Sequence, residues 1–231
     1  MNGIIAWLHQ LDLNKLLEPL VIVLAAILCV SIHETCHGLA ALWLGDRTAK
    51  NDGRLSLNPL RHIDPIGLIL MVVAHFGWAK PVMIDPRNFK HPKRDMAITA
   101  AAGPISNLLL ALVALFFASL LFPVVLAHPD SILLYWLYML FLYIASLSVG
   151  MCVFNIIPIS PLDGSKVLFS ILPERVYWKI MRFERYGMLA LLAIVLSGVL
   201  DKPLYFLNNH LYSALARLVW PAAEWIARLY R

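Results

Sequence analysis

The sequence predicts an all-α polytopic membrane protein with about five to six membrane helices and a short re-entrant or membrane-associated strand segment. Three observations predict it. Hydrophobic residues make up 61% of the chain, against about 45–50% for an ordinary soluble domain, and the mean hydropathy is +0.75. Charged residues, 14% of the total, come in blocks between apolar runs. One of those runs contains Ser31-Ile32-His33-Glu34-Thr35-Cys36-His37-Gly38, and ionisable groups at that depth cost about 2.5–3.5 kcal/mol each, which makes them functional candidates.

The elements follow in order. Residues 1–18 mix apolar and polar side chains at helical spacing and read as an amphipathic helix lying at the interface. No small-residue cleavage pattern precedes the histidines, so the first long segment is expected to be a retained helix. Pro19 suits its first position and Gly45 its stop. From Pro19 to Leu44 it would measure roughly 39 Å, enough to cross a core of about 30 Å. A polar loop, 45–62, follows. The apolar run Ile66–Phe76 is short for a crossing and reads as re-entrant or as a buried half-helix. Gly77-Trp78-Ala79-Lys80-Pro81-Val82 reads as extended chain and leads into a second basic loop, 80–95. Met96–Phe122 and Ile132–Ile157 are long apolar spans, separated by a turn at 123–130 that has no Lys or Arg. Pro158 and Pro161 break the second of them. A basic segment, 165–186, is followed by the short apolar helix 187–200. The last stretch, 203–231, is amphipathic, either a tilted span or an interfacial helix. The expected organisation is one domain over 1–231: a core at 19–172, the amphipathic N-terminus, and accessory C-terminal helices at 186–231.

The net charge of +5 is spread over loops. It fits the positive-inside bias and not a nucleic-acid surface. With the three basic loops in the cytoplasm and 123–130 outside, segment 63–79 must enter and leave on one side. His33, His37, Asn107, Asn155 and Asp163 then fall in the cytoplasmic half. The expected location is a bacterial inner membrane, with the lipid bilayer as a partner. Cys29, Cys36 and Cys152 all lie in apolar segments, so no structural disulfide is expected.

His33 and His37, four apart, share a helix face and can grip one metal ion, with Glu34 about a quarter-turn away. A catalytic zinc takes three protein ligands and keeps one position open. The third should be a His, Asp or Glu from elsewhere, and Asp163, at a broken helix end of matching depth, is the best candidate. Glu34 would be the general base, exchanging a proton with water and the leaving amine. Asn155 is an amide donor for substrate backbone or an oxyanion, or else a helix cap. Asn107 is either an interhelical hydrogen-bond donor or a substrate-contacting residue.

Four stretches in this order resemble the site-2 protease family of intramembrane zinc metalloproteases: His33-Glu34-Thr35-Cys36-His37 with Gly38; Gly77-Trp78-Ala79-Lys80-Pro81-Val82; Ala102-Gly103-Pro104 with Asn107; and Asn155 through Pro158 to Leu162-Asp163-Gly164. The resemblance implies one Zn2+ per chain, held by His33, His37 and Asp163, with Glu34 as base and Asn155 on the substrate. It also implies that the Gly77–Val82 segment, with Gly77, Trp78, Ala79 and Lys80 as substrate-binding residues, forms a membrane-associated strand that pairs with an unwound transmembrane protein or peptide substrate. Thr35 and Cys36 depart from the bulky and small residues expected inside the motif, and Ser165 stands where the family often has glycine. No PDZ or cystathionine-synthase-type regulatory domain is recognisable, so the resemblance is to a minimal member. The alternative reading is a non-proteolytic metal-binding membrane protein or zinc carrier.

Overall fold

The computed structural model describes residues 13–56, 58, 61–62, 64, 80–182 and 184–229. Helix α1, Leu13–Trp43, carries the two motif histidines and ends at Gly45, whose φ of +110° suits a residue without a Cβ. A short turn of helix, α2 (Thr48–Asn51), follows. After an irregular stretch from Lys80 and a 3-10 turn at Pro86–Asn88 comes α3, Pro92–Ala127. Its first turn is fixed by Asp95, which accepts the His91 N–H at 3.0 Å. Helix α4 is Ile132–Asn155, with Ser131 as N-cap. Then come α5 (Asp163–Phe169), α6 (Glu174–Arg182), α7 (Glu184–Leu196) and α8 (Asp201–Leu229).

Among the described residues, three helices are long and apolar enough to cross a membrane: Leu17–Trp43, Pro92–Ala127 and Ile132–Asn155. The segments Tyr186–Leu196 and Asp201–Arg228 meet at 86° and make a fourth if the bent pair is one span. Five to six spans are not reached among the described residues, and no strand occurs among them. Nearly all of the expected re-entrant run, with Gly77, Trp78 and Ala79, lies outside them.

Helix α3 is the centre of the bundle, packing against α1, α4, α5 and α8. The core joins Ala25 and Cys29 of α1, Ala111, Ala114 and Leu115 of α3, Ile144, Ala145 and Val149 of α4, and Leu215 and Val219 of α8. Alanines on α1, α3 and α4 alternate in it with branched aliphatic residues, and such small residues let backbones approach closely where lipid tails are as apolar as leucine. The three cysteines are free. Cys29 sits against Ser148, Sγ to Oγ 3.2 Å.

Helix boundaries depart from the proline punctuation. Pro19 lies inside α1, Pro104 and Pro123 inside α3, and Pro221 inside α8. In an apolar surround a broken helix would leave backbone groups without partners, so the helix continues through proline where water would allow it to stop.

The loop after α1 is built around Asp46, which is fully buried. Its carboxylate accepts from Thr48 N (3.0 Å), Thr48 Oγ1 (2.5 Å), Asn88 Nδ2 (2.8 Å) and Asp85 N (2.8 Å). Burial alone would raise its pKa, but the hydrogen bonds from Thr48, Asn88 and Asp85 hold it below the usual carboxylate range. Stability from a depressed pKa is present above the unfolded value of about 3.9 and is lost as pH falls through the folded one. Asp46→Ala should therefore cost about 2–3 kcal/mol at pH 7. The gap between wild-type and variant melting temperatures should narrow below about pH 4, which thermal unfolding in detergent would read. A gap unchanged down to about pH 2 would contradict the assignment.

Candidate metal centre

The small run Thr99–Gly103 on α3 lies against the motif face of α1. A Cβ on Gly103 would come 2.4 Å from His37 Nε2 and 2.5 Å from His33 Cε1, so only glycine lets α3 lie this close to both imidazoles. The rings meet edge to face with centroids 4.5 Å apart. From the other side α5 delivers Asp163 at its first residue. That helix is seated through Gly164, where a Cβ would fall 2.0 Å from Ile156 O. Every side of the cluster is thus set by a close backbone approach.

His33, His37 and Asp163 each offer one ligand atom, all within 4.8 Å of one another. His33 Nε2 to His37 Nε2 is 3.0 Å; Asp163 Oδ2 is 3.3 Å from the first and 3.2 Å from the second. Ligands bonded at about 2.0–2.1 Å in tetrahedral geometry lie roughly 3.3 Å apart, so the spacing fits zinc. The donor chemistry fits too. His37 Nδ1 lies 2.7 Å from Thr99 O and, as donor, leaves Nε2 with a lone pair. His33 Nδ1 is 3.0 Å from the Asn107 amide nitrogen, while Asn107 Oδ1 is buried without a partner. Turning that amide over gives His33 Nδ1–H an acceptor and leaves its Nε2 free in the same way. Two imidazole lone pairs and a carboxylate oxygen then face one another, an arrangement that needs a cation.

The cluster opens into a cavity of about 210 Å³ lined also by Glu34, Val82, Asn155 and Lys166. Glu34 Oε2 accepts the backbone N–H of Val82 at 2.9 Å. The Val82 segment, without regular secondary structure, is tied at both ends: Lys80 N donates to His62 O at 2.9 Å, and Asp85 N to Asp46. Asn155 lines the cavity while Nδ2 donates to Met151 O in its own helix. Lys80 is exposed and outside the lining. Asn107 is fully buried, against His33 and away from the cavity wall.

Sequence reasoning missed Thr99 and Lys166 at this site, and it placed Val82 in the expected strand without foreseeing its contact with Glu34. Thr99 and Val82 act through their backbones, and a backbone contact leaves no side-chain signature. The crowding of small residues from Thr99 to Gly103 was the available signal for close helix approach. Lys166 stands one turn beyond Asp163, a helical offset that puts both on one face.

Residues 118–198 match the family described as Peptidase family M50. A Bacillus subtilis protein named "Putative zinc metalloprotease YwhC" is 35% identical over 179 residues, 76% of this chain and 80% of its own length. The chain belongs to the M50 peptidases, the site-2 protease family. Two proteins named "Putative zinc metalloprotease Rip2" are 26% identical in Mycolicibacterium smegmatis and 27% in Mycobacterium tuberculosis, each over 87% of this chain and 77% of the relative. No solved structure matches the chain. The M50 match takes in Asn155 and Asp163, the half of the site contributed by the end of α4 and the start of α5.

Proposed function

We propose that this chain is an intramembrane zinc metalloprotease that hydrolyses peptide bonds within or near transmembrane segments of other proteins. In this reading His33, His37 and Asp163 hold one zinc ion and Glu34 is the general base. The observation that carries the reading is the convergence of two imidazole nitrogens and one carboxylate oxygen at 3.0, 3.3 and 3.2 Å, the spacing of a tetrahedral zinc site. Membership of a peptidase family supports hydrolysis as the chemistry.

Zinc held there supplies Lewis acidity, which makes water nucleophilic near neutral pH and polarises the scissile carbonyl. Glu34, steadied by the Val82 N–H, takes the proton from the attacking water and returns it to the leaving amine. Asn155 keeps a second N–H on Nδ2 beyond the one given to Met151, free to meet a substrate carbonyl or the developing oxyanion. Thr99 and Asn107 orient the two imidazoles from behind. We lay an unwound substrate along the chain at Lys80–Asp85, and assign Gly77, Trp78 and Ala79 to substrate binding on the family resemblance. A helical substrate buries its peptide groups in its own hydrogen bonds, and an edge strand holds them open to attack.

We further read 1–231 as one membrane-embedded domain in a bacterial inner membrane, with the site in the cytoplasmic half. The basic loops at 45–62, 80–95 and 165–186 support that orientation. Removing metal with a strong chelator should stop cleavage of a test transmembrane substrate by the reconstituted chain, and one equivalent of zinc should restore it. Cleavage that survives exhaustive chelation would contradict the proposal.

A further inference from the structure

A second cavity, of about 610 Å³, lies where the first turn of α3 meets the connection between α5 and α6. Lys90, Lys93, Arg94, Ser170, Glu174 and Ile98 line it. Lys93 is part of its frame: Nζ donates to Leu172 O and stands 5.9 Å over the Tyr177 ring. Arg94 bonds the buried Asp95 through Nε at 2.8 Å, yet its side chain is 61% exposed. Lys90 is exposed at the rim. Three cations therefore face one lining carboxylate, Glu174, with Asp95 behind them, and an anion is favoured in the cavity.

What selects among anions is the surface below. Ile98, at the cavity wall, is followed on α3 by Ile105, Leu109 and Val113, spaced 7, 4 and 4 residues apart and therefore on one helix face. All four are exposed, at 39%, 55%, 58% and 50%. Ile171 and Leu168, beside the cavity, are exposed as well, at 78% and 45%. A basic pocket heading an apolar stripe on a membrane-spanning helix matches an amphiphile with a phosphate head and acyl tails. A soluble phosphate would use only the upper half.

We infer that the cavity bounded by Lys90, Lys93 and Arg94 binds the headgroup of an anionic glycerophospholipid, whose acyl chains lie along the Ile98–Val113 face of α3. Thr99, whose carbonyl meets His37, lies just past Ile98 on the same helix. A bound lipid would therefore steady the helix that backs the metal centre. The inference depends on the membrane reading and not on proteolysis.

The test uses the full chain in mixed micelles of phosphatidylglycerol and phosphatidylcholine with identical acyl chains, and native mass spectrometry to count retained lipid. Wild type should hold phosphatidylglycerol in preference. Lys90→Gln should lower that preference about fivefold, and Lys90→Gln with Arg94→Gln about 30-fold, at roughly 1 kcal/mol per charge near a membrane surface. Arg47→Gln with Lys50→Gln removes two basic-loop charges outside the cavity and should leave retention unchanged. Inorganic phosphate should displace no more lipid than chloride at equal ionic strength. Since Arg94 also bonds Asp95, the single Lys90→Gln variant reads the site without disturbing that pair. Equal retention of both lipids by wild type, equal losses in the two double variants, or displacement by inorganic phosphate would each overturn the inference.

Discussion

Replacing Glu34 with Gln should leave zinc binding intact and lower peptide cleavage by about 10²–10⁴-fold, the usual range for loss of a general base. Glutamine keeps the shape of the side chain, and its amide oxygen can still accept the Val82 N–H that Glu34 Oε2 now takes at 2.9 Å. The change therefore removes proton acceptance and little else. Glu34 does not belong to the cluster of three ligand atoms, so the metal should stay. Zinc content by elemental analysis and cleavage of a transmembrane substrate, measured on the same preparation, check both halves. A variant that cleaves at the wild-type rate would remove Glu34 from the mechanism.

Gly103→Ala should have an effect of similar size by another route. The added methyl would sit 2.4–2.5 Å from atoms of His33 and His37. These are the far ends of side chains, which can swing away cheaply, so the fold should survive. Alanine is also the better helix former by about 1 kcal/mol. What moves, however, is the pair of imidazoles in the metal cluster. A displacement near 1 Å in such a constellation costs on the order of 100-fold, and zinc affinity and cleavage should fall together by at least about that much. Circular dichroism and a melting curve close to wild type, beside a weakened zinc titration, are the expected pattern. Wild-type zinc affinity would show that the close approach of α3 has no bearing on the site.

The difference between these variants marks what the sequence could and could not reveal. His33, Glu34 and His37 were legible because a membrane helix has few reasons to carry three ionisable groups, and their spacing fits one face of it. Asp163 was legible as a polar group at a broken helix end of matching depth. The supporting contacts were harder to foresee. Asn107 could be singled out but not assigned, since its meaning depends on which ring nitrogen it faces. Thr99 and Val82 contribute backbone atoms, which every residue has. Gly103 matters for an atom it lacks.

Helix ends were misjudged for a related reason. Proline breaks helices where water can take up the freed carbonyl, and Pro19 and Pro123 were read on that basis as a start and a turn. In an apolar surround the helix runs on through both. Pro158 and Pro161 did end α4, in the turn 156–162 that delivers Asp163. The same residue type signals differently by environment, and the spans were easier to locate than their limits.

Zinc stoichiometry in wild type and in Asp163→Ala tests the central claim most directly. Asp163 comes from α5, far along the chain from the histidines of α1, so only the folded arrangement can make it part of the same site. After zinc loading and removal of free metal, wild type should retain one zinc per chain and Asp163→Ala less than about a tenth of that at the same protein concentration. A folded wild-type chain that retains no zinc, or an Asp163→Ala chain that retains a full equivalent, would contradict the account.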